Sequence, residues 1–159
     1  MTEETSSPAV SKDSLVSLRE VTRENLDAVL RLKVAPDQEK FVANNAVSIA
    51  QAHFYPETAW FRAIYADETP VGFMMLSDDA AKPEYFLWRL MLDARYQKFG
   101  FAARAMELLL DYVRTRPGAK EILLSCVPGE GSPFGFYERL GFSDTGEMEE
   151  DEVVMRRDL

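Results

Sequence analysis

Two stretches of this 159-residue chain combine residue types that chemistry could use. The first is Gln97-Lys98-Phe99-Gly100-Phe101-Ala102. It follows a run rich in strand-forming types, Tyr85 to Asp93, and precedes a helical repeat of Ala102, Ala105, Met106, Leu109, Leu110 and Val113. A strand that feeds a glycine turn, which in turn opens a helix, points several unpaired backbone N–H groups at one spot. The positive end of the helix dipole adds to them. Such a spot suits a phosphate, and Gly100 keeps side-chain bulk out of the approach. On these residues alone, a turn that carries no ligand is the commoner outcome. The second stretch is Phe136-Tyr137-Glu138-Arg139-Leu140-Gly141-Phe142. Tyr137 offers a phenol with an ordinary pKa of about 10, protonated at neutral pH and able to donate. Its plainer role is a packed helix aromatic with a wetted hydroxyl.

Other reactive types are isolated. His53 is the one histidine and stands before Phe54-Tyr55-Pro56, where a base or an exposed structural side chain would both fit. Cys126 lies inside an apolar run and reads as core. Ser125 and Ser132 have no histidine partner for a nucleophile triad. No His, Cys, Asp and Glu cluster has metal-ligand spacing, so no metal is expected. The acidic run Glu147 to Asp151 is either a solvated turn or a mouth for the ammonium groups of a polycation. Phe41, Tyr55, Trp60, Tyr85 and Trp88 could frame an amine by cation–π contact, although most such residues are core.

Composition narrows the field. With 27 acidic against 18 basic residues the net charge is −9, which argues against nucleic acid and suits a cationic small substrate. No apolar run of about 18 residues predicts a membrane span. The start Met1 to Pro8 lacks the basic and apolar regions of a signal peptide, and one cysteine allows no internal disulfide. A cytoplasmic location is the expectation.

The elements that must position these residues follow in order. Residues 1–14 are polar and read as a disordered leader, and 15–159 as a single domain. Leu15 to Glu20 predicts a first strand. Thr22 would cap a helix carrying Leu26, Val29 and Leu30 that Pro36 ends. A second helix is expected from about Gln38 to Ala52. Strands at Ala59 to Ala66 and Val71 to Ser77 flank the hairpin turn Asp67-Glu68-Thr69-Pro70, and Asp78 to Pro83 is a loop. Glu121 to Val127 reads as a strand buried on both faces, parallel to Tyr85 to Asp93 through the intervening helix. Ser132 would cap a short helix with Pro133 at its first position. Phe142 to Gly146 and Glu152 to Arg156 form a closing hairpin.

The turn at Gln97 to Ala102 and the Tyr137-to-Phe142 segment, separated by one helix and one strand, resemble the GNAT superfamily of N-acetyltransferases. The first matches the Gln/Arg-x-x-Gly-x-Gly/Ala pyrophosphate loop, the second the Tyr-x-x-Leu-Gly-Phe segment. The resemblance runs from Leu15 to the C-terminus. It implies an α/β GNAT fold: a mixed, twisted sheet with a splayed central parallel pair and helices on both faces. Within the superfamily, Asn25, Val34 to Gln38, Phe41-Val42, Ser48 to Ala52, Thr145 to Glu147 and Glu152 to Met155 are similar to bacterial spermine/spermidine acetyltransferases.

What the resemblance implies can be set out residue by residue. Acetyl-CoA is the co-substrate, with its pyrophosphate on the backbone of Gln97, Lys98, Phe99, Gly100, Phe101 and Ala102. Its pantetheine arm lies in the splay against Met91, Leu92 and Asp93. A small cationic amine is the acceptor, a homodimer follows by analogy only, and Tyr137 is the general acid that protonates the departing thiolate. An alkylamine pKa of about 10.4 requires that a proton leave before attack, and an N–H near Leu92 is the expected oxyanion donor. Two departures stand out. Glu130 and Pro133 replace the Asn and Ala found seven and four positions before the tyrosine in many relatives, which reshapes that loop. Trp88 and Arg89 stand where polyamine-acetylating relatives carry an acidic strand residue. The base is therefore unassigned. Glu84 is the nearest carboxylate before the strand, and a water chain to bulk is the default.

Overall fold

The structure, a computed structural model, describes residues 10–159. The expected leader therefore lies mostly outside the described residues. Its last part is folded: residues Ser11 to Ser14 make a turn, Ser14 is buried, and its carbonyl accepts from Arg104 Nη1 at 2.8 Å.

Seven strands form one mixed sheet. In chain order the elements are β1 Val16–Arg19, α1 Leu26–Arg31, α2 Asn45–His53, β2 Ala59–Ala66, β3 Thr69–Asp79, β4 Glu84–Leu92, α3 Phe101–Arg114, β5 Glu121–Cys126, α4 Phe134–Arg139, β6 Ser143–Glu149 and β7 Glu152–Asp158. Spatial order is β1-β2-β3-β4-β5-β7-β6, antiparallel throughout except for the β4–β5 pair. That pair is joined through α3, the crossover that parallel neighbours need.

β3 explains why both faces are covered. Its side chains alternate, so Met74 and Leu76 meet the core under α3 while Phe73 and Met75 meet the core under α1 and α2. All four are fully buried. α3 brings Phe101, Ala105, Met106, Leu109, Leu110 and Val113 to the first core on one stripe, the spacing the sequence carries.

The two flanks of β4 differ. Against β3 its register runs from Gly72 opposite Leu92 to Asp79 opposite Glu84, with Trp88 bulged out between Arg89 and Leu87. Against β5 only Phe86–Leu123 and Leu87–Leu124 pair. Beyond them the strands part. Gly72 makes the closed side possible, since a Cβ there would overlap the Met91 carbonyl oxygen.

Several expectations need correction. The helix expected over 38–52 is a 3-10 turn at Pro36–Gln38 followed by α2 from Asn45, because Asn44 accepts from the Val47 N–H at 2.9 Å and sets the start there. Thr22 does not cap α1. Instead its own N–H donates to the Asn25 side chain. β3 extends to Asp79 and absorbs the start of the expected loop. β5 is not buried on both faces, for Glu121, Leu123 and Ser125 are only half-buried. α4 begins one residue later than expected, with the Ser132 hydroxyl accepting from the Phe134 N–H. The acidic run is mostly strand, Glu147 to Glu149 ending β6.

Candidate active site

Where β4 and β5 part, a cleft of about 1050 Å³ opens between the two strands, the turn before α3, and α4. It lies beyond the carboxyl ends of the parallel pair, the usual position for a ligand in such sheets.

One wall is built by backbone. Met91, Leu92, Gln97, Lys98, Gly100, Phe101 and Ala102 line it. The Asp93 N–H donates to the Val71 carbonyl across the β3 seam at 2.8 Å. Strand alternation turns the Leu92 peptide the other way, toward the gap. Its carbonyl there accepts from Gln97 Nε2 at 3.1 Å. Gln97 in turn pairs with Gln38, donating to Gln38 Oε1 at 2.7 Å and accepting from Gln38 Nε2 at 3.2 Å. Lys98 and Gly100 both adopt left-handed backbone, at φ 73° and 80°. Gly100 caps the 14-residue α3, and a Cβ there would meet open space, so its conformation rather than crowding by protein calls for glycine. Arg104 Nη2 fastens the turn by donating to the Phe99 carbonyl at 3.0 Å.

Two expected residues stand outside this wall. Asp93 is buried and its carboxylate is occupied by the Lys33 and Arg95 N–H groups and the Arg95 guanidinium. Phe99 stacks on Phe101 with ring centroids 5.3 Å apart. Neither lines the cleft.

Tyr137 of α4 forms part of the floor and is 8% exposed. Phe136 and Phe142 hold its ring edge-to-face at 5.3 and 5.8 Å. The left-handed Gly141, at φ 92°, reverses the chain so that the Phe142 N–H donates to the Tyr137 carbonyl at 3.0 Å. Burial, with the neighbouring Cys126 thiol, pushes the phenol above its ordinary value. It therefore stays protonated at neutral pH and has a proton to give. Burial likewise raises the Cys126 thiol, so this half of the expectation holds although Cys126 also borders the cleft.

The opposite wall is built by side chains. Glu152 Oε2 accepts from the Ser125 hydroxyl at 3.0 Å. Arg89 donates to Gln51 Oε1 at 3.0 Å and to the Trp88 carbonyl at 2.9 Å, while its buried Nε has no partner among the described residues. Burial lowers its pKa, and the charge of Glu152 works against that. Glu149 and Glu150 stand at the rim, and of the five expected framing aromatics only Phe41 and Trp88 line the cleft. Tyr55 touches Trp88 from outside at 5.7 Å, Trp60 stacks on Tyr112, and Tyr85 is core. Glu84 and His53 are exposed and do not line the cleft. Sequence reasoning passes over Arg89, Ser125 and Glu152 as a group, since nothing in their spacing announces that they line one cleft.

The sequence profile of the acetyltransferase (GNAT) family matches residues 20–142. The chain belongs to this family of acetyltransferases. It is 26% identical to the spermine/spermidine N(1)-acetyltransferase of Bacillus subtilis, covering 91% of this chain and 99% of that protein. The crystal structure of spermidine N-acetyltransferase from Vibrio cholerae, in complex with CoA and spermine, superposes with a TM-score of 0.72 at 16% identity. It covers 90% of this chain and 95% of that one. PaiA N-acetyltransferase from Thermoplasma acidophilum, in complex with coenzyme A, gives a TM-score of 0.67 at 18% identity, over 91% of this chain and 99% of that one. The splayed mixed sheet is thus the GNAT fold. Among the described residues no group of three or more His, Cys, Asp or Glu could hold a metal, and no helix is long and apolar enough to cross a membrane.

Proposed function

We propose that this GNAT enzyme transfers acetyl from acetyl-CoA to a primary amine of a small cation, with a polyamine such as spermidine or spermine as acceptor. The observation that carries the reading is Tyr137, buried and with its pKa raised, at the floor of a cleft where two parallel strands part. A CoA molecule fits what is there: a long cleft, exposed strand backbone along it, and a helix N-terminus with a left-handed glycine at its end. The backbone of Gln97 to Ala102 would hold the pyrophosphate, and Met91 and Leu92 the pantetheine amides. Bound there, acetyl-CoA supplies the activated acetyl group.

The chain's own residues do the rest. The Leu92 N–H, turned into the gap, donates to negative charge that develops on an acyl oxygen. Tyr137 gives its proton to the leaving sulfur. The proton shed by the amine leaves through water in the cleft. The acidic rim of Glu149 and Glu150 attracts a polycation. A single domain over 15–159, acting in the cytoplasm, completes the reading, with a homodimer by analogy.

A second reading rests on Arg89, whose half-buried guanidinium favours an acceptor that carries an anionic group beside its amine, such as an amino acid. One assay separates the two: incubate with acetyl-CoA and an amine panel, and follow thiol release. Turnover with spermidine or spermine supports the polyamine reading. Turnover confined to amino acids or peptide termini overturns it in favour of the second. CoA binding without thiol release for any amine rejects both.

A further inference from the structure

We infer that Glu152, aimed by Ser125, is the residue that docks the acceptor's ammonium group. The inference deepens the reading of the cleft as an acetyltransferase site and rests on it, but it does not depend on which amine is used.

Three observations converge on this carboxylate. Its place comes from register: Val153 of β7 lies opposite Cys126 of β5, so Glu152 sits at the end of β5 where β4 has already parted from it. Glu152, Ser125 and Tyr137 all line the same cleft, so Glu152 opens onto the space that Tyr137 borders. The second observation is orientation. Ser125 Oγ donates to Oε2 at 3.0 Å, which pins one oxygen and leaves the lone pairs of the other for a ligand. The third is charge. Glu152 is half-buried and takes part in no ion pair among the described residues. A carboxylate withdrawn from water with one hydroxyl donor and no direct ion pair, its charge reaching Arg89 only at longer range, is stabilised further by a cation that enters, and an alkylammonium supplies three N–H donors to it.

The other acids fit less well. Glu149 and Glu150 are exposed at the rim, where screening weakens their pull, and Glu84 is at the far end of β4. Glu152 also accounts for Ser125, whose hydroxyl has no nucleophilic role. The missing acidic residue of β4 is in effect supplied from β7, on the wall that also carries Arg89.

The test is calorimetric titration of spermidine into the CoA-loaded full chain. Glu152→Gln keeps the shape and the Ser125 contact but removes the charge, and should weaken spermidine binding at least tenfold. Ser125→Ala should weaken it about threefold, and Glu84→Gln should leave it within twofold. CoA affinity equal to that of the parent protein shows that each variant is folded. Glu152→Asp, which keeps the charge, should retain more affinity than the Gln variant. Unchanged binding by Glu152→Gln overturns the inference, as does an equal loss in Glu84→Gln, which would mark a bulk charge effect. If the parent protein ignores spermidine yet acetylates another amine of the panel, the polyamine reading falls. The same comparison is then made on the KM of that amine, which should rise at least tenfold in Glu152→Gln while the KM for acetyl-CoA stays within twofold. An unmoved amine KM in that setting overturns the docking role, and a protein that neither binds nor acetylates any amine overturns both.

Discussion

β4 has two flanks that behave oppositely. Toward β3 it is sealed by register pairs along its length, from Leu92 to Glu84, broken only by the bulge at Trp88. Toward β5 it keeps two pairs and then leaves its backbone open to a cleft. One flank therefore satisfies its hydrogen bonds within the fold and the other leaves them open to the cleft. The lesson is that the open flank is affordable only because the sealed one is tight, and each can be attacked separately.

The sealed flank yields the largest expected effect. Gly72→Ala would push a Cβ into the Met91 carbonyl oxygen, which is backbone and has no rotamer to escape into. Overpacking of this kind costs about 3 kcal/mol. In a domain of this size that lowers the melting temperature by about 6–12 °C. A thermal melt followed by circular dichroism reads it directly, and an unchanged midpoint would mean that the β3–β4 seam is looser than its register implies.

On the open flank the effect should fall on chemistry alone. Tyr137→Phe keeps the ring between Phe136 and Phe142 and removes only the hydroxyl. Turnover should drop about a hundredfold, roughly 2.7 kcal/mol of barrier, which is an ordinary share for a general acid. The KM for acetyl-CoA should stay within twofold and the melting temperature should not move. Loss of both turnover and CoA affinity would show that Tyr137 shapes the cleft rather than acting in it.

The same contrast describes what the sequence makes legible. The sealed flank, α3 and the turn at Gly100 are written in local pattern: a continuous apolar run from Val71 to Leu76, a helical stripe from Phe101, a glycine where φ is positive. Tyr137 was readable because its helix ends in Leu140-Gly141-Phe142. The wall that carries Arg89, Ser125 and Glu152 is not readable, since the three come from three strands and share the cleft only through a bulge and a register. The bulge at Trp88 has no local signature at all. β6 is longer than its sequence predicts for a related reason: Ser143 to Glu149 is exposed along its whole length, and pairing with β7, not hydrophobic alternation, makes it a strand. The start of α2 was available in the sequence as Asn44, a favoured capping type, but the apolar residues before it masked the signal.

A smaller effect should appear where the two flanks meet. Gln97 ties the Leu92 carbonyl to Gln38 and so sets the edge of the gap. Gln97→Ala removes that tie together with both bonds to Gln38, and the share that falls on the Leu92 carbonyl is about 1 kcal/mol, the net value of one hydrogen bond. If the tie matters to the ligand and not to the fold, the KM for acetyl-CoA rises about fivefold with little change in melting. An equal KM would mean that the β3 seam alone holds Leu92 in place.

The smallest effect belongs to Asp93, which closes the sealed flank where the chain leaves β4. Burial pushes its carboxyl up, but the Arg95 guanidinium and the Lys33 and Arg95 amides outweigh burial and hold it below the ordinary carboxylate value. A folded pKa below the unfolded one contributes stability above the unfolded value, near 3.9, and loses it as pH falls through the folded value. Asp93→Asn should therefore melt below the parent protein at pH 7, and the gap should narrow only below about pH 4. The Arg95 side chain is 65% exposed, so screening keeps the pH-dependent share under about 1 kcal/mol, or about 2–4 °C. Paired melts of the two proteins from pH 3 to pH 7 isolate this carboxylate from the others that titrate in the same range. A gap that stayed constant across that range would assign the role of Asp93 to its hydrogen bonds alone. The charge would then be incidental, and the seam would be closed by geometry without help from electrostatics.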